Sequence, residues 1–206
     1  MTAANPATTV HARAVDGIAS ALQTFLAPHG ALSNFQPMAD GHAGLTFGFE
    51  LHGVDRRANA YILKRAPAGV PLRGSTDVFR QAPLLRALSR AGFPAPNVSW
   101  ASDDVAILGA PFIIMERLPG RTVIVWDPSP ESLSQFKDQS ALWLETARLM
   151  GALHAFDWRA ELTVWEEPTN LARELNRWTR LLRHTENHEH LVLAQRIAAR
   201  LAATWP

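Results

Sequence analysis

The chain has 206 residues, a formal net charge of +1 and an apolar share of 47%. That length allows one large domain or two small ones, and the apolar share excludes a disordered chain. The balance of 20 basic and 19 acidic residues argues against a dedicated nucleic-acid binder, and the absence of cysteine excludes disulfides, a thiol nucleophile and a Cys-ligated zinc site.

Met1 to Thr9 are small and polar and read as a frayed tail. Met1 to Ala14 hold His11 and Arg13 and no apolar run, so no secretory signal is expected. Val15, Ile18, Leu22 and Phe25 recur at helical spacing, and Pro28, His29 and Gly30 end that helix. Phe47, Phe49 and Leu51 then alternate with polar residues, which predicts a half-buried strand. Ala58 to Lys64 predicts a second strand, with Tyr61 and Leu63 on one face and Ala60, Ile62 and Lys64 on the other. The two strands read as a hairpin.

Ala66 to Ser75, with two prolines and two glycines, predicts a loop. A helix carrying Leu84, Leu85 and Leu88 follows and stops at Arg90-Ala91-Gly92. Pro83 fits only a first turn, so the helix starts near Arg80 or is kinked there. Asn97 to Ala101 and Pro111 to Glu116 predict two further strands, joined by turn chemistry at Asp103-Asp104 and Gly109. Beyond Gly120 only the short Thr122 to Trp126 resembles a strand. Leu142, Leu149, Leu153 and Phe156 form one helical stripe; Leu171, Leu175, Trp178 and Leu182 a second; Leu193, Ile197 and Leu201 a third. The order predicts an α+β chain with a boundary near Gly120. The longest apolar run, Val105 to Met115, is too short for the ~20 residues that span a bilayer. A cytoplasmic protein without a membrane partner is expected.

Of the 20 basic residues only Lys64 and Lys137 are lysine. Lys64 ends the strand Tyr61-Ile62-Leu63-Lys64, which runs into Arg65-Ala66-Pro67-Ala68-Gly69. Before it stands the glycine-bearing turn Asp40-Gly41-His42-Ala43-Gly44-Leu45-Thr46-Phe47. After it come Phe93-Pro94-Ala95-Pro96-Asn97-Val98, the strand and turn Leu108 to Gly120, and Leu153-His154-Ala155-Phe156-Asp157-Trp158. In this order and spacing the motifs resemble the aminoglycoside-phosphotransferase-like family of kinase-fold enzymes, and are similar to the kinase-like domain fused to acyl-CoA dehydrogenases. The resemblance runs from about residue 33 to residue 206 and implies roughly the N-terminal two-thirds of such a fold.

The resemblance implies a protein-kinase-like fold. Residues 1–32 would be a tail and helix, 33–120 an antiparallel nucleotide-binding lobe with one inserted helix, and 121–206 a partial helical lobe. It implies ATP as cofactor, with the turn at Gly41, Ala43 and Gly44 bringing backbone N–H groups to phosphate and Lys64 adding positive charge. It also implies that backbone groups of Glu116 and Leu118 form the hinge that hydrogen-bonds adenine.

Three departures stand out. Ala43 and Gly44 occupy the places of Ser and Asn in the family turn, so only backbone contacts to phosphate remain there. The helix glutamate that pairs with the strand lysine is Gln81 here, by alignment of Asp77-Val78-Phe79-Arg80-Gln81. Glutamine can hydrogen-bond Lys64 but cannot neutralise it. The catalytic loop His-Gly-Asp, with its following Asn and metal-binding Asp, does not occur in the sequence. Magnesium ligands are therefore expected beyond the chain end, and no catalytic or metal residue is assigned within it.

Other candidates take structural readings. His154 reads as a helix-end histidine, His184, His188 and His190 as an exposed inter-helix turn, and Trp143, Trp158, Trp165, Trp178 and Trp205 as packing residues. The expected function is the N-terminal portion of an ATP-dependent small-molecule phosphotransferase, with a nucleotide and a small hydroxylated substrate as partners. Without the acidic loop, the chain alone is expected to transfer no phosphoryl group. The alternatives are a non-catalytic nucleotide-binding pseudokinase or interaction module, and a truncated product that self-associates through uncovered helices.

Overall fold

A computed structural model describes residues 6–38, 45–53, 57–120, 139–163, 165, 169–182 and 184–204. The chain divides into two compact units, Met1–Leu162 and Thr163–Pro206.

The first unit is built on a five-stranded antiparallel sheet in the order β1-β2-β3-β5-β4. Its strands are β1 (Ala31–Pro37), β2 (Leu45–His52), β3 (Ala58–Arg65), β4 (Val98–Ser102) and β5 (Phe112–Glu116). Helix α1 (Pro6–Leu26) begins inside the segment expected to be a frayed tail. Proline is suited to the first helical position, where its missing N–H is no loss. Leu22 and Leu26 of α1 are fully buried against Phe47, Phe49, Leu51, Leu63, Phe112 and Ile114. Phe25 meets Phe112 edge to face at 5.4 Å between ring centroids.

Strand β1 is not visible in the alternation of the sequence, and the structure shows why. Its pairing with β2 shifts register between Ser33 and Gln36, and Asn34 adopts φ 54°. The irregularity puts Leu32 and Phe35, three residues apart, against the same core. The period-2 signal is lost wherever a strand bulges.

The opposite face of the sheet is covered by α2 (Gln81–Arg90). Ala82 of α2 and Val78 just before it pack with Ala66, Val98, Ala110 and Ile113. Pro83 is the third residue of the helix, in the first turn, where its N–H has no intrahelical partner to lose. The turn expected at Asp103-Asp104 and Gly109 is one turn of helix, α3 (Val105–Leu108). The Asp104 carboxylate accepts the Ala106 amide at 2.8 Å, and Gly109 closes the turn at φ 74°.

Arg65 follows Lys64 but points to the other face of β3 and is 8% exposed. Its Nε donates to the Leu108 carbonyl at 2.7 Å, which clamps β3 to α3. Desolvation by burial lowers its pKa. Arg65→Ala removes this donor and the packing of the stem. It should cost about 2 kcal/mol in a denaturant titration.

Helix α4 (Gln139–His154) and the single turn α5 (Trp158–Glu161) complete the first unit. Asp157 caps α5, accepting the Ala160 amide at 3.2 Å. Glu161 pairs with Arg90 at 3.6 Å, and Phe156 packs edge to face on Phe93. Several apolar residues of α4 stay exposed: Trp143 at 56%, Leu144 at 71% and Leu153 at 46%.

The second unit is a pair of helices, α6 (Leu171–Leu182) and α7 (His188–Thr204). Leu175, Trp178, Leu182, Leu191, Ile197 and Leu201 line an apolar groove of about 260 Å³ between them. Neither helix buries a side chain fully. Asn187 caps α7, accepting the His190 amide at 3.1 Å, so of the three histidines expected in an inter-helix turn only His184 lies in it, while His188 and His190 form the first turn of the helix. The strand expected at Thr122 to Trp126 lies outside the described residues, as does Lys137.

Candidate functional site

The candidate site lies on the α2 side of the sheet. Successive residues of a strand point to opposite faces. In β3, Tyr61 and Leu63 pack with the α1 core, so Ile62 and Lys64 take the other side. Register carries this face across the sheet: Thr46 and Ile113 flank Lys64, while Gly48 and Met115 flank Ile62. Ile113 and Met115 belong to the α2 core cluster.

Lys64 is half-buried here, and its Nζ donates to Gln81 Oε1 at 3.0 Å. Gln81 is the first residue of α2, so the bond ties the helix to the strand. Desolvation lowers the Lys64 pKa. Among the described residues no carboxylate forms an ion pair with it. The ammonium is therefore held in place by a neutral partner.

Glu116 is the last residue of β5, opposite Tyr61. Its amide donates to the Asn97 carbonyl at 3.0 Å, so the group it can offer a ligand is its carbonyl. The next amide, Arg117, donates to Ala60 at 3.0 Å. Leu118, one residue further, has left the sheet and is 45% exposed. Lys64 pairs with Ile113, three residues before Glu116, so the two ends of the site are about 10 Å apart along the strand.

Gly41, Ala43 and Gly44 lie outside the described residues. The structure thus brings Lys64 and Gln81 into contact and sets Glu116, with Leu118 beyond it, at the far end of the neighbouring strand β5. Thr46 was not singled out by the sequence; its signal is the register of the β2–β3 pair, which becomes visible only once the strands are aligned. Among the described residues no group of three His, Asp or Glu side chains could hold a metal ion. His154 closes α4 and is exposed.

The phosphotransferase enzyme family matches the chain over residues 35–206. The chain belongs to the phosphotransferase enzyme family. Its sheet and helices match the crystal structure of a Ralstonia eutropha protein provisionally assigned as an aminoglycoside phosphotransferase. The TM-score is 0.60 over 82% of this chain and 48% of that one. At 22% identity this match shows the fold alone, the α+β kinase-like fold of aminoglycoside phosphotransferases. Among curated relatives, the Gallus gallus "Acyl-CoA dehydrogenase family member 11" is 34% identical over 133 residues, 65% of this chain and 16% of the relative. The Mus musculus "Acyl-CoA dehydrogenase family member 10" is 28% identical over 127 residues, 61% of this chain and 12% of the relative. The match to this chain thus occupies a small part of each of those proteins. No described helix is long and apolar enough to cross a membrane.

Proposed function

We propose that this phosphotransferase-family chain is the nucleotide-binding portion of an ATP-dependent kinase of small molecules. In the parent reaction the γ-phosphoryl group of ATP passes to a substrate hydroxyl. One observation carries the reading: a half-buried lysine held by Gln81 where β3 meets α2, with no carboxylate paired to it among the described residues. Phosphoryl transfer depends on positioning and charge, and a fixed ammonium serves both. The distance of about 10 Å from Lys64 to the end of β5 suits a nucleotide with its base at Glu116 and Leu118 and its phosphates at Lys64. Gly41, Ala43 and Gly44 would add backbone donors to the phosphates.

The acceptor is proposed to be a small hydroxylated molecule. The relatives named for acyl-CoA dehydrogenases make hydroxylated acyl groups the first class to test. The proposed compartment is the cytoplasm. The exposed apolar faces of α4, α6 and α7 support a proposal of self-association, read from the concentration dependence of sedimentation.

Gln81, which holds Lys64 without neutralising it, favours a second reading, a nucleotide binder without catalysis. Both readings give the same first result. Saturating ATP should raise the melting temperature, since a ligand at a hundred times its Kd stabilises by about 2.7 kcal/mol. A folded sample whose melting ignores ATP, with and without magnesium, would sink both. Transfer of labelled phosphate to hydroxylated substrates then separates them. For the 206-residue chain alone the expected transfer is none.

A further inference from the structure

The Lys64–Gln81 bond determines more than the position of the lysine. A lysine ammonium has three donors and no acceptor. The atom of Gln81 facing it at 3.0 Å must therefore be the amide oxygen. That assignment turns Nε2, with two N–H donors, away from Lys64. No described residue accepts a hydrogen bond from Gln81 Nε2. A glutamate at this position would present a second acceptor oxygen there and would cancel the charge of Lys64.

The surroundings share this character. Thr46, the cross-strand partner of Lys64, places a half-buried hydroxyl on the same face. Side chains directly opposite on paired strands are close enough to share a ligand. The first turn of α2 carries no acidic residue. The nearby Asp77 already accepts the Arg80 amide. The point where β3 meets α2 thus offers donors from Lys64, Gln81 and Thr46 and the positive charge of Lys64.

We propose that Lys64 and Gln81 together form a phosphate-oxygen site in which Gln81 is itself a ligand, donating from Nε2, and not only a support for the lysine. The inference rests on the nucleotide reading for the identity of the anion. The oligophosphate group bridges the two side chains, accepting from the free N–H groups of the ammonium and from the amide. The swap from an acidic to a neutral partner is then a gain of a ligand as well as a loss of an ion pair.

Titration calorimetry of the 206-residue chain in EDTA, with ATP and with inorganic tripolyphosphate, tests this. Gln81→Met keeps the size of the side chain and removes the donor. It should raise Kd roughly 3–10-fold, the worth of one hydrogen bond to a charged group. Gln81→Glu removes the donor and adds a negative charge beside the phosphate, and should weaken binding at least as much. The ligand-free melting curve of each variant is recorded first, and either variant that folds is informative. A Gln81→Met protein that binds like wild type overturns the proposal. So does a Gln81→Glu protein that binds as tightly as wild type or more tightly, as a supporting lysine–carboxylate pair requires. Binding of tripolyphosphate with the expected loss in the variants, but no binding of ATP, keeps the anion site and overturns the nucleotide reading. Binding of neither overturns both.

Discussion

Replacing Gly30 by alanine should destabilise the first unit by about 3 kcal/mol, with a fall of about 6–12 °C in melting temperature for a chain of this length. Gly30 sits between α1 and β1 at φ 155°, a conformation that side chains rarely adopt. A Cβ there would run into the His52 carbonyl oxygen and stand 2.8 Å from its carbonyl carbon. Both obstacles are backbone, so neither can rotate away. His52 is the β2 partner of Ala31, the first pair of the β1–β2 ladder. The junction is also tied by Gln23 of α1, whose Oε1 accepts the Leu32 amide at 2.7 Å. Relief of the clash must open that pairing or shift α1, and α1 carries Leu22 and Leu26 into the core. Gly17 supplies the contrast. It lies within α1, exposed, with nothing within 4 Å of an added Cβ. Gly17→Ala should stabilise by about 0.5–1 kcal/mol through helix propensity. Thermal denaturation of the two variants should show opposite signs. A Gly30→Ala protein that melts within a degree of wild type would show that the junction yields without strain.

What the sequence reveals follows the same physics. Phe47, Phe49 and Leu51 alternate cleanly because β2 packs one face on α1, and Tyr61 and Leu63 do so for the same reason. The alternation fails in β1, where the irregularity at Asn34 changes the period, and it has nothing to register in the single turn of α3. Periodicity identifies the helical stripe at Leu149 and Leu153 but not its cover. Leu153 remains half exposed, because helical spacing reports a face and says nothing of its partner. The site divides in a similar way. Lys64 is legible as a charge ending an apolar strand in a chain with one other lysine. Its bond to Gln81 spans 17 positions and needs the packing of α2 on the sheet to exist. Thr46 enters only through strand register.

Lys64→Met should move stability and binding in opposite directions. In the folded chain the lysine pKa is lowered, because burial penalises the charged form. The unfolded chain therefore holds the proton more tightly between the lowered value and the ordinary lysine value. Stability rises with pH across that window, as it does wherever the unfolded state binds more protons. Below the window the charged, half-buried ammonium opposes folding. Methionine keeps the stem and removes the charge, so at neutral pH the variant should be the more stable protein. The gain is small for a half-exposed position, about 0.5 kcal/mol or about 1–2 °C. It should shrink as pH rises through the window, where wild-type Lys64 loses its own proton. Nucleotide binding should respond far more strongly. Loss of charge-assisted hydrogen bonds to phosphate should raise the Kd for ATP roughly 10–100-fold. A strand-end charge with no ligand would change neither quantity by much. A lysine that lowers the stability of the empty chain and is needed by the bound one is held there for its ligand. Melting curves from neutral to alkaline pH, with ATP titrations of the same two proteins, measure both sides. A destabilised variant with unchanged affinity would make Lys64 a packing residue.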